Sequence, residues 1–460
     1  MVFTREGFTQ VASNAFAGLG FPAESPSIYE FPNVMFLPGS DLTPINENID
    51  KIISGLTKWE PKTKETGSFA PPKLTVTGKD YAETVANMNL VFLKNLWSDG
   101  LPILPATEER VNSLLRGTDL SPDTLVGEGK ILPRGGIATV ETLAVSLAMT
   151  GGRPEYMPLL IAAIEAMTDP RFVLQGMNAT TCSCFPVVVV NGPVAKEIRL
   201  NSGYGCLGPS SQFPAGASIG RAIRFLMVAA GGSIPGVGSM AIHGSPARYT
   251  NVVFAEDENG VPEGWKSLAE ERGFPKGSNV VTADTNMGTV NLSGGGTSTT
   301  YEEGMKNLYK VAYNMRNPSS NYWNVNPWAK GSPGFVLLPP LGAQGLAEFG
   351  WSQDKVKSFL WEASKMPWSE VVESRSPLEI EKSISVCEGL KENEPWPITS
   401  RPENITLVVA GGYQGGHFYW MQNAWPAQEL VSAEIQLPAK AKWDAVLKEA
   451  ETDLGPIPGM

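Results

Sequence analysis

Cys182-Ser183-Cys184-Phe185-Pro186-Val187-Val188-Val189-Val190-Asn191-Gly192-Pro193 is the stretch from which the fold is read. Phe185 to Val190 is a short apolar run rich in β-branched residues and closed by a turn signal, the pattern of a strand buried on both faces. Upstream, Pro154 to Met167 reads as a helix, with Pro154 at a first-turn position where its missing N–H costs little. Its Met157 to Ile164 portion is apolar on nearly every side, so the helix must be covered on most of its surface. A wrapped helix followed by an interior strand predicts an α/β layer.

Outward from this pair, Val140 to Thr150 is a further helix, joined to the buried one through Gly151-Gly152-Arg153-Pro154, and Ala217 to Ala230 is another. Asp80 to Trp97 carries apolar residues at helical spacing, and Leu101 to Pro105 forms a stiff entry to a helix with Thr107 at its N-cap. Residues 231–300 are crowded with glycine and turn signals, among them Gly294-Gly295-Gly296, and read as more loop than scaffold. Beyond a helix at Tyr301 to Met315, strand Phe335 to Leu338, Pro339-Pro340 and helices Leu341 to Phe349 and Gln353 to Ser364 repeat the order found around Ile103 to Leu115. A last strand, Ile405 to Ala410, ends in Gly411-Gly412 much as Val187 to Val190 ends in Asn191-Gly192, which suggests two weakly duplicated halves.

The first sixty residues look like part of a domain. An amphipathic segment, Phe8 to Leu19, precedes a strand-like Ile28 to Phe36 and a helix Ile45 to Leu56. Two helices and one strand cannot cover both faces of a sheet, so this piece is expected to dock on a partner or on the body of the chain. The expected organisation is an N-terminal segment 1–60, a linker 61–78 (rich in Pro, Lys, Thr and Gly from Trp59 to Lys73), an α/β domain 79–330 with the thiol and glycine-rich loops, and a C-terminal α/β portion 331–460. The fold class is multi-layer α/β with an internal duplication and a small incomplete N-terminal α/β segment.

Composition narrows the function. At 460 residues the chain has room for two or three cores, and 42% hydrophobic against 18% charged residues is a compact globular balance. Thirty-six basic against 47 acidic residues give a formal charge of -11, which disfavours nucleic acid and anionic membranes as partners. Four cysteines are too few for a disulfide framework, and Met1-Val2-Phe3-Thr4-Arg5-Glu6 lacks a signal-peptide pattern, so a reducing cytoplasm is expected. Apolar runs fall far short of the roughly 20 residues that span a bilayer.

Three of the four cysteines, Cys182, Cys184 and Cys206, fall within one short window beside a glycine-rich turn, Ser202-Gly203-Tyr204-Gly205-Cys206-Leu207-Gly208-Pro209. Thiolates are the nucleophiles, redox groups and soft metal ligands of proteins, while a thiol can also be a small buried apolar residue; all three roles are open here. With only His243 and His417, a His-rich zinc site is excluded by inventory, and either imidazole, each in a glycine turn, is a candidate proton carrier. Gly203 and Gly205 permit close backbone approach, and the helix beginning near Ala217 would aim free N–H groups at that loop. Arg221 is placed to fork a carboxylate or phosphate there. Glu108, Arg110 and Asn191 complete the polar candidates, Glu108 and His243 as catalysts with the thiols, Arg110 and Asn191 for substrate.

Part of this loop, Ala179-Thr180-Thr181-Cys182-Ser183-Cys184, resembles the metal loop of nitrile hydratase α subunits, with Ala179 standing where that family has its first cysteine. The resemblance implies a transition metal held by Cys182 and Cys184. A broader resemblance runs through Leu101 to Val111, Pro186 to Pro193, Ile219-Gly220-Arg221-Ala222 and Gly244-Ser245-Pro246-Ala247-Arg248-Tyr249-Thr250. Over these segments the chain resembles the bacterial family named for its UGSC motif, selenocysteine or cysteine followed by Gly, Ser and Cys. Residues 1–60 are similar to the second half of that family's small domain, but the motif itself is missing. The resemblance implies a partner subunit that carries the motif, a hetero-oligomer, and thiol or selenol chemistry, while the glycine loop with Arg221 points to a small, anionic organic substrate. The leading expectation is thus a thiol-dependent enzyme subunit; a thiolate-metal hydratase or lyase and a noncatalytic scaffold are the other two.

Overall fold

The computed structural model describes residues 2–22, 27–32, 35, 40–60, 73–293, 298–316, 331–387, 389–424 and 429–457. Eleven strands follow in chain order: β1 Val2–Arg5, β2 Ile28–Phe31, β3 Leu125–Ile131, β4 Gly136–Thr139, β5 Phe185–Asn191, β6 Val252–Ala255, β7 Val280–Ser293, β8 Gly334–Leu338, β9 Thr406–Val409, β10 His417–Asn423 and β11 Val431–Glu434. Seven of them form one mixed sheet in the order β6-β5-β7-β10-β8-β9, with β11 beside the first half of β7. This is the expected multi-layer α/β class. Residues 61–72 of the expected linker 61–78, the Gly294–Gly296 turn and the far end of the Ile28 to Phe36 strand lie outside the described residues.

The sheet carries one pattern twice. The outer pairs β5–β6 and β8–β9 are parallel, each joined through a helical crossover, and β7 and β10, antiparallel to their neighbours, meet at the centre. The order of elements thus agrees with two related halves. Side chains alternate between faces, so the register sorts the core into three clusters. Val188, Val190, Val253, Ala255, Val281 and Ala283 pack outward against helices Val140–Met149, Met157–Thr168 and Ala215–Ala229. In the second half, Val336, Leu338, Leu407, Val409, Phe418 and Trp420 pack outward against helices Tyr301–Met315, Pro340–Glu348 and Gln353–Ala363. Phe185, Val187, Val189, Val252, Phe254, Phe335, Leu337, Val408 and Met421 face one another inside the curl.

The curl closes on itself. Asp257, just past β6, donates its N–H to Val409 O at 2.7 Å, and Val409 N–H donates to Glu256 Oε1 at 3.2 Å. The Glu256 carboxylate is fully buried and also accepts from Asn191 Nδ2 and Leu268 N–H, both at 2.7 Å, so it stitches β5, β6 and β9 together. Burial raises its pKa to about 7, against the three donors that favour the charged form.

Residues 231–300 depart from the loop expectation, because they contain β6 and the fourteen-residue β7. Thr282, Asp284 and Asn286 point from β7 into the barrel, where inward apolar residues were needed for the strand to announce itself. Likewise Ile405 to Ala410 is not the last strand: β10, β11 and helix Lys440–Leu454 follow.

At the N-terminus, β1 and β2 pair in parallel and helix Thr9–Gly18 crosses between them. The predicted helix Ile45 to Leu56 is two pieces, Thr43–Glu47 and Ile49–Thr57, broken at Asn48. This segment does dock on the body. A Cβ at Gly18 would lie 1.9 Å from Pro133 O, and Asn14 Nδ2 donates to Val237 O at 3.1 Å.

Candidate functional site

The thiol loop sits where helix Leu174–Ala179 ends and β5 begins. Because Phe185 faces the barrel interior, Cys184 faces the opposite side and joins the outer core at 1% exposure. Cys182, two residues earlier, is half-buried, with its Sγ 3.5 Å from Met287 Sδ on β7. Pairing of the two strands accounts for that contact, since Phe185 lies opposite Asn286. The loop is pinned from outside by residues 240–242: Met240 N–H donates to Ala179 O at 3.2 Å and Ile242 N–H to Thr181 O at 3.0 Å.

Interaction between the two neighbouring thiols separates their acidities. The Cys184 S–H stabilises a Cys182 thiolate, aided by the Ser183 N–H and the nearby Arg248 charge. These outweigh burial and bring Cys182 down to about 7. Cys184, the donor in a buried position, is pushed strongly upward. A thiolate is the competent nucleophile, so Cys182 is the reactive member of the pair at neutral pH.

Arg248 anchors this arrangement. It lies within a short 3-10 turn, Pro246–Tyr249, opened by Ser245, whose side chain accepts from Ala247 N–H. Its Nε donates to Cys184 O at 2.6 Å and Nη1 to Ser239 Oγ at 3.3 Å. A second arginine, Arg224, is 8% exposed on helix Ala215–Ala229 and reaches only Ser233 through long bonds, Nη1 to Oγ at 3.5 Å and Nη2 to the carbonyl at 3.4 Å. Burial and the Arg248 charge lower Arg224 to about 10, so it stays charged at neutral pH.

The remaining sequence candidates lie elsewhere. Cys206 packs into the barrel interior, where burial raises it to about 12. Its glycine loop sits at the far end of the sheet: Gly411 N–H donates to Ser202 O at 2.8 Å, and a Cβ at Gly412 would lie 2.2 Å from the Tyr204 ring. The seven residues of β5 separate the two ends by about 20 Å. Gly203, Gly205 and Cys206 therefore do not share a cavity with Cys182 and Cys184. Asn191 is at that far end as well, fully buried and committed through Nδ2 to Glu256 and Glu258 at 2.7 and 3.2 Å.

Arg221 is not free to meet a substrate. Its guanidinium forks Asp99 through Nε at 2.8 Å and Nη2 at 3.1 Å, and Nη2 also donates to Pro102 O at 2.9 Å. It flanks an open pocket of ≈ 390 Å³ beside Ser210, Ser211 and Ser218, presenting a group whose charge is already matched. Arg110 ties down Ala148 O at 3.0 Å, Glu108 is exposed with Lys73 at 3.9 Å, and His243 is exposed on the loop after Ile242. His417, at the start of β10, contacts Asn291 Oδ1 at 3.1 Å. Cys387 belongs to a separate small core.

Among the described residues no three His, Cys, Asp or Glu side chains stand close enough together to hold a metal ion. Cys182 and Cys184 alone fall short of the four ligands of a closed thiolate site. Arg224, Arg248 and Met287 are the participants that the sequence did not single out. One signal was present: Arg224 is the lone charge in the run Ala222 to Ala230, and a charge inside an apolar helical stretch marks a buried group. Among the described residues no helix is long and apolar enough to cross a membrane. Comparisons with family models, with curated proteins and with solved structures found no match to this chain.

Proposed function

We propose that the chain is a thiol-dependent enzyme subunit in which Cys182 attacks a small organic substrate and Cys184 is its resolving partner. The supporting observation is the placement of a half-exposed Cys182, lowered to about 7, next to a buried Cys184 whose carbonyl is held by the cation Arg248. In the covalent step the Cys182 thiolate forms a bond to an electrophilic centre and the displaced group leaves with the electron pair. Where the substrate is a disulfide, the Cys182 mixed disulfide is then attacked by Cys184 sulfur. The internal disulfide forms, the Cys184 proton goes to the departing second thiolate, and the substrate has been reduced by two electrons as the two cysteines are oxidised.

An aromatic disulfide reagent tests this. Wild-type protein should release two equivalents of chromophoric thiolate promptly and lose the mass of two hydrogens, whereas Cys184→Ser should release one and retain the mixed disulfide on Cys182. Prompt reaction that survives Cys182→Ser would overturn the assignment.

The same reading includes a partner subunit. Its support is the N-terminal segment, whose parallel sheet has only two strands and which exposes Phe3, Leu42, Ile49, Ile53 and Leu56. Parallel sheets are ordinarily covered on both faces, and two strands alone make a marginal unit. Sedimentation of the chain with and without a co-expressed subunit that carries the UGSC motif should show a stable heteromer when both are present; a monodisperse monomer in both preparations would contradict it.

A further inference from the structure

Arg248 reaches the thiol loop through Cys184 O, and Arg224 lies within electrostatic reach of Arg248. Arg224 and Arg248 form no ion pair with any carboxylate among the described residues, in contrast to Arg221, which occupies Asp99 on the neighbouring turn. Arg248 spends Nε on a carbonyl and Nη1 on a hydroxyl, and Arg224 makes only two long contacts with Ser233, all of them neutral acceptors. Removing a guanidinium from water without a counter-charge is costly, and a protein that keeps two such groups together retains a strong local demand for negative charge. The Asp99 carboxylate also acts on Arg224 but is shared with Arg221, and a Cys182 thiolate answers Arg248, so three guanidiniums face two anions. One positive charge is left over, and Arg248 Nη2 has no hydrogen-bond partner among the described residues. The Cys182 side of this cluster is half-open, and the exposed Ile242, His243 and Tyr249 border it.

We propose that Arg248, backed by Arg224, binds a carboxylate of the substrate and holds the adjacent carbon or sulfur of that substrate against Cys182. Planar guanidinium matches carboxylate geometrically, and charge-assisted bonds of this kind are short and directional. The inference rests on Cys182 being the attacking thiol, and it replaces Arg221 as the group that selects an anion. It also assigns a substrate class: small carboxylic acids with an electrophilic centre one or two bonds from the carboxylate.

Iodoacetate and iodoacetamide test it, because they have the same leaving group and differ chiefly in the carboxylate. In both, the Cys182 thiolate displaces iodide from carbon, an S–C bond replaces the C–I bond, and the thiol proton has already gone to solvent. The ratio of the two rates at Cys182, measured by peptide mapping and divided by the same ratio for a small free thiol, cancels the thiolate fraction. The ratio should favour iodoacetate by about tenfold, the worth of one hydrogen bond to a charged group, and Arg248→Gln should return it to that of the free thiol. Acetate at constant ionic strength should slow iodoacetate labelling of the wild-type protein, a measurement that needs no variant. A wild-type ratio equal to or below that of the free thiol overturns the carboxylate site while leaving the reactive thiol standing. Failure of both reagents to label Cys182 overturns the thiol reading itself, and the carboxylate site falls with it.

Discussion

Replacing Cys184 by Ala removes the S–H that stabilises the Cys182 thiolate and leaves Arg248 and the Ser183 N–H in place. With Cys184 present, Cys182 lies near 7 instead of the ordinary thiol value of 9.0. At neutral pH that is the difference between about half and about one hundredth of the thiol ionised. Cys182 is partly open to water, which screens the interaction, so about tenfold slower alkylation at pH 7 is the magnitude to expect in Cys184→Ala. The assay is the pH dependence of iodoacetamide labelling at Cys182, resolved by peptide mass spectrometry. The midpoint should move to higher pH in the variant, by about one unit, with the plateau at high pH little changed. A variant with the wild-type midpoint would refute the claim that the second thiol activates the first.

Three further outcomes follow from the barrel and its surroundings. Asp284 is fully buried and lifted by desolvation to about 8, above its unfolded value of 3.8, so its contribution to stability is complete at low pH and lost as pH rises toward 8; thermal melts should show Asp284→Asn flattening that decline, and parallel profiles would contradict it. Glu256→Ala strands three buried N–H donors at the seam of β5, β6 and β9, a loss of about 3 kcal/mol or more in urea unfolding, and a change below about 1 kcal/mol would deny the seam its structural role. Arg221→Ala should cost about 3 kcal/mol by leaving the buried Asp99 carboxylate unmatched, while iodoacetate labelling of Cys182 keeps its wild-type rate; slowed labelling would return Arg221 to the binding site.

Much of the scaffold was legible because the residues concerned face one environment throughout. The Val-rich β5 and the Met157–Thr168 helix are buried on nearly all sides, so uninterrupted apolarity identified them, and Thr107 caps its helix as its type suggests. β7 was hidden because its inward face is polar: Thr282, Asp284 and Asn286 break the uninterrupted apolar run that marked β5. The duplicated order was visible in the turns that end β5 and β9, whereas the closure between β6 and β9 depends on Glu256, a charged residue that by composition alone belongs to a solvated loop. At the site, sequence neighbourhood misled in one respect. Cys206 is near Cys184 along the chain, yet an intervening strand carries it to the opposite end of the sheet. Conversely Arg248 and Met287 are distant in sequence and are brought to the thiols by strand pairing and by the 240–249 loop.

Site-resolved labelling of the native chain under pulse conditions tests the central claim most directly. With limiting iodoacetamide at pH 7, Cys182 should be modified first and nearly alone, with Cys184, Cys206 and Cys387 protected by burial until the protein is unfolded. Equal labelling of all four thiols in the native state, or labelling of Cys206 ahead of Cys182, would contradict the account.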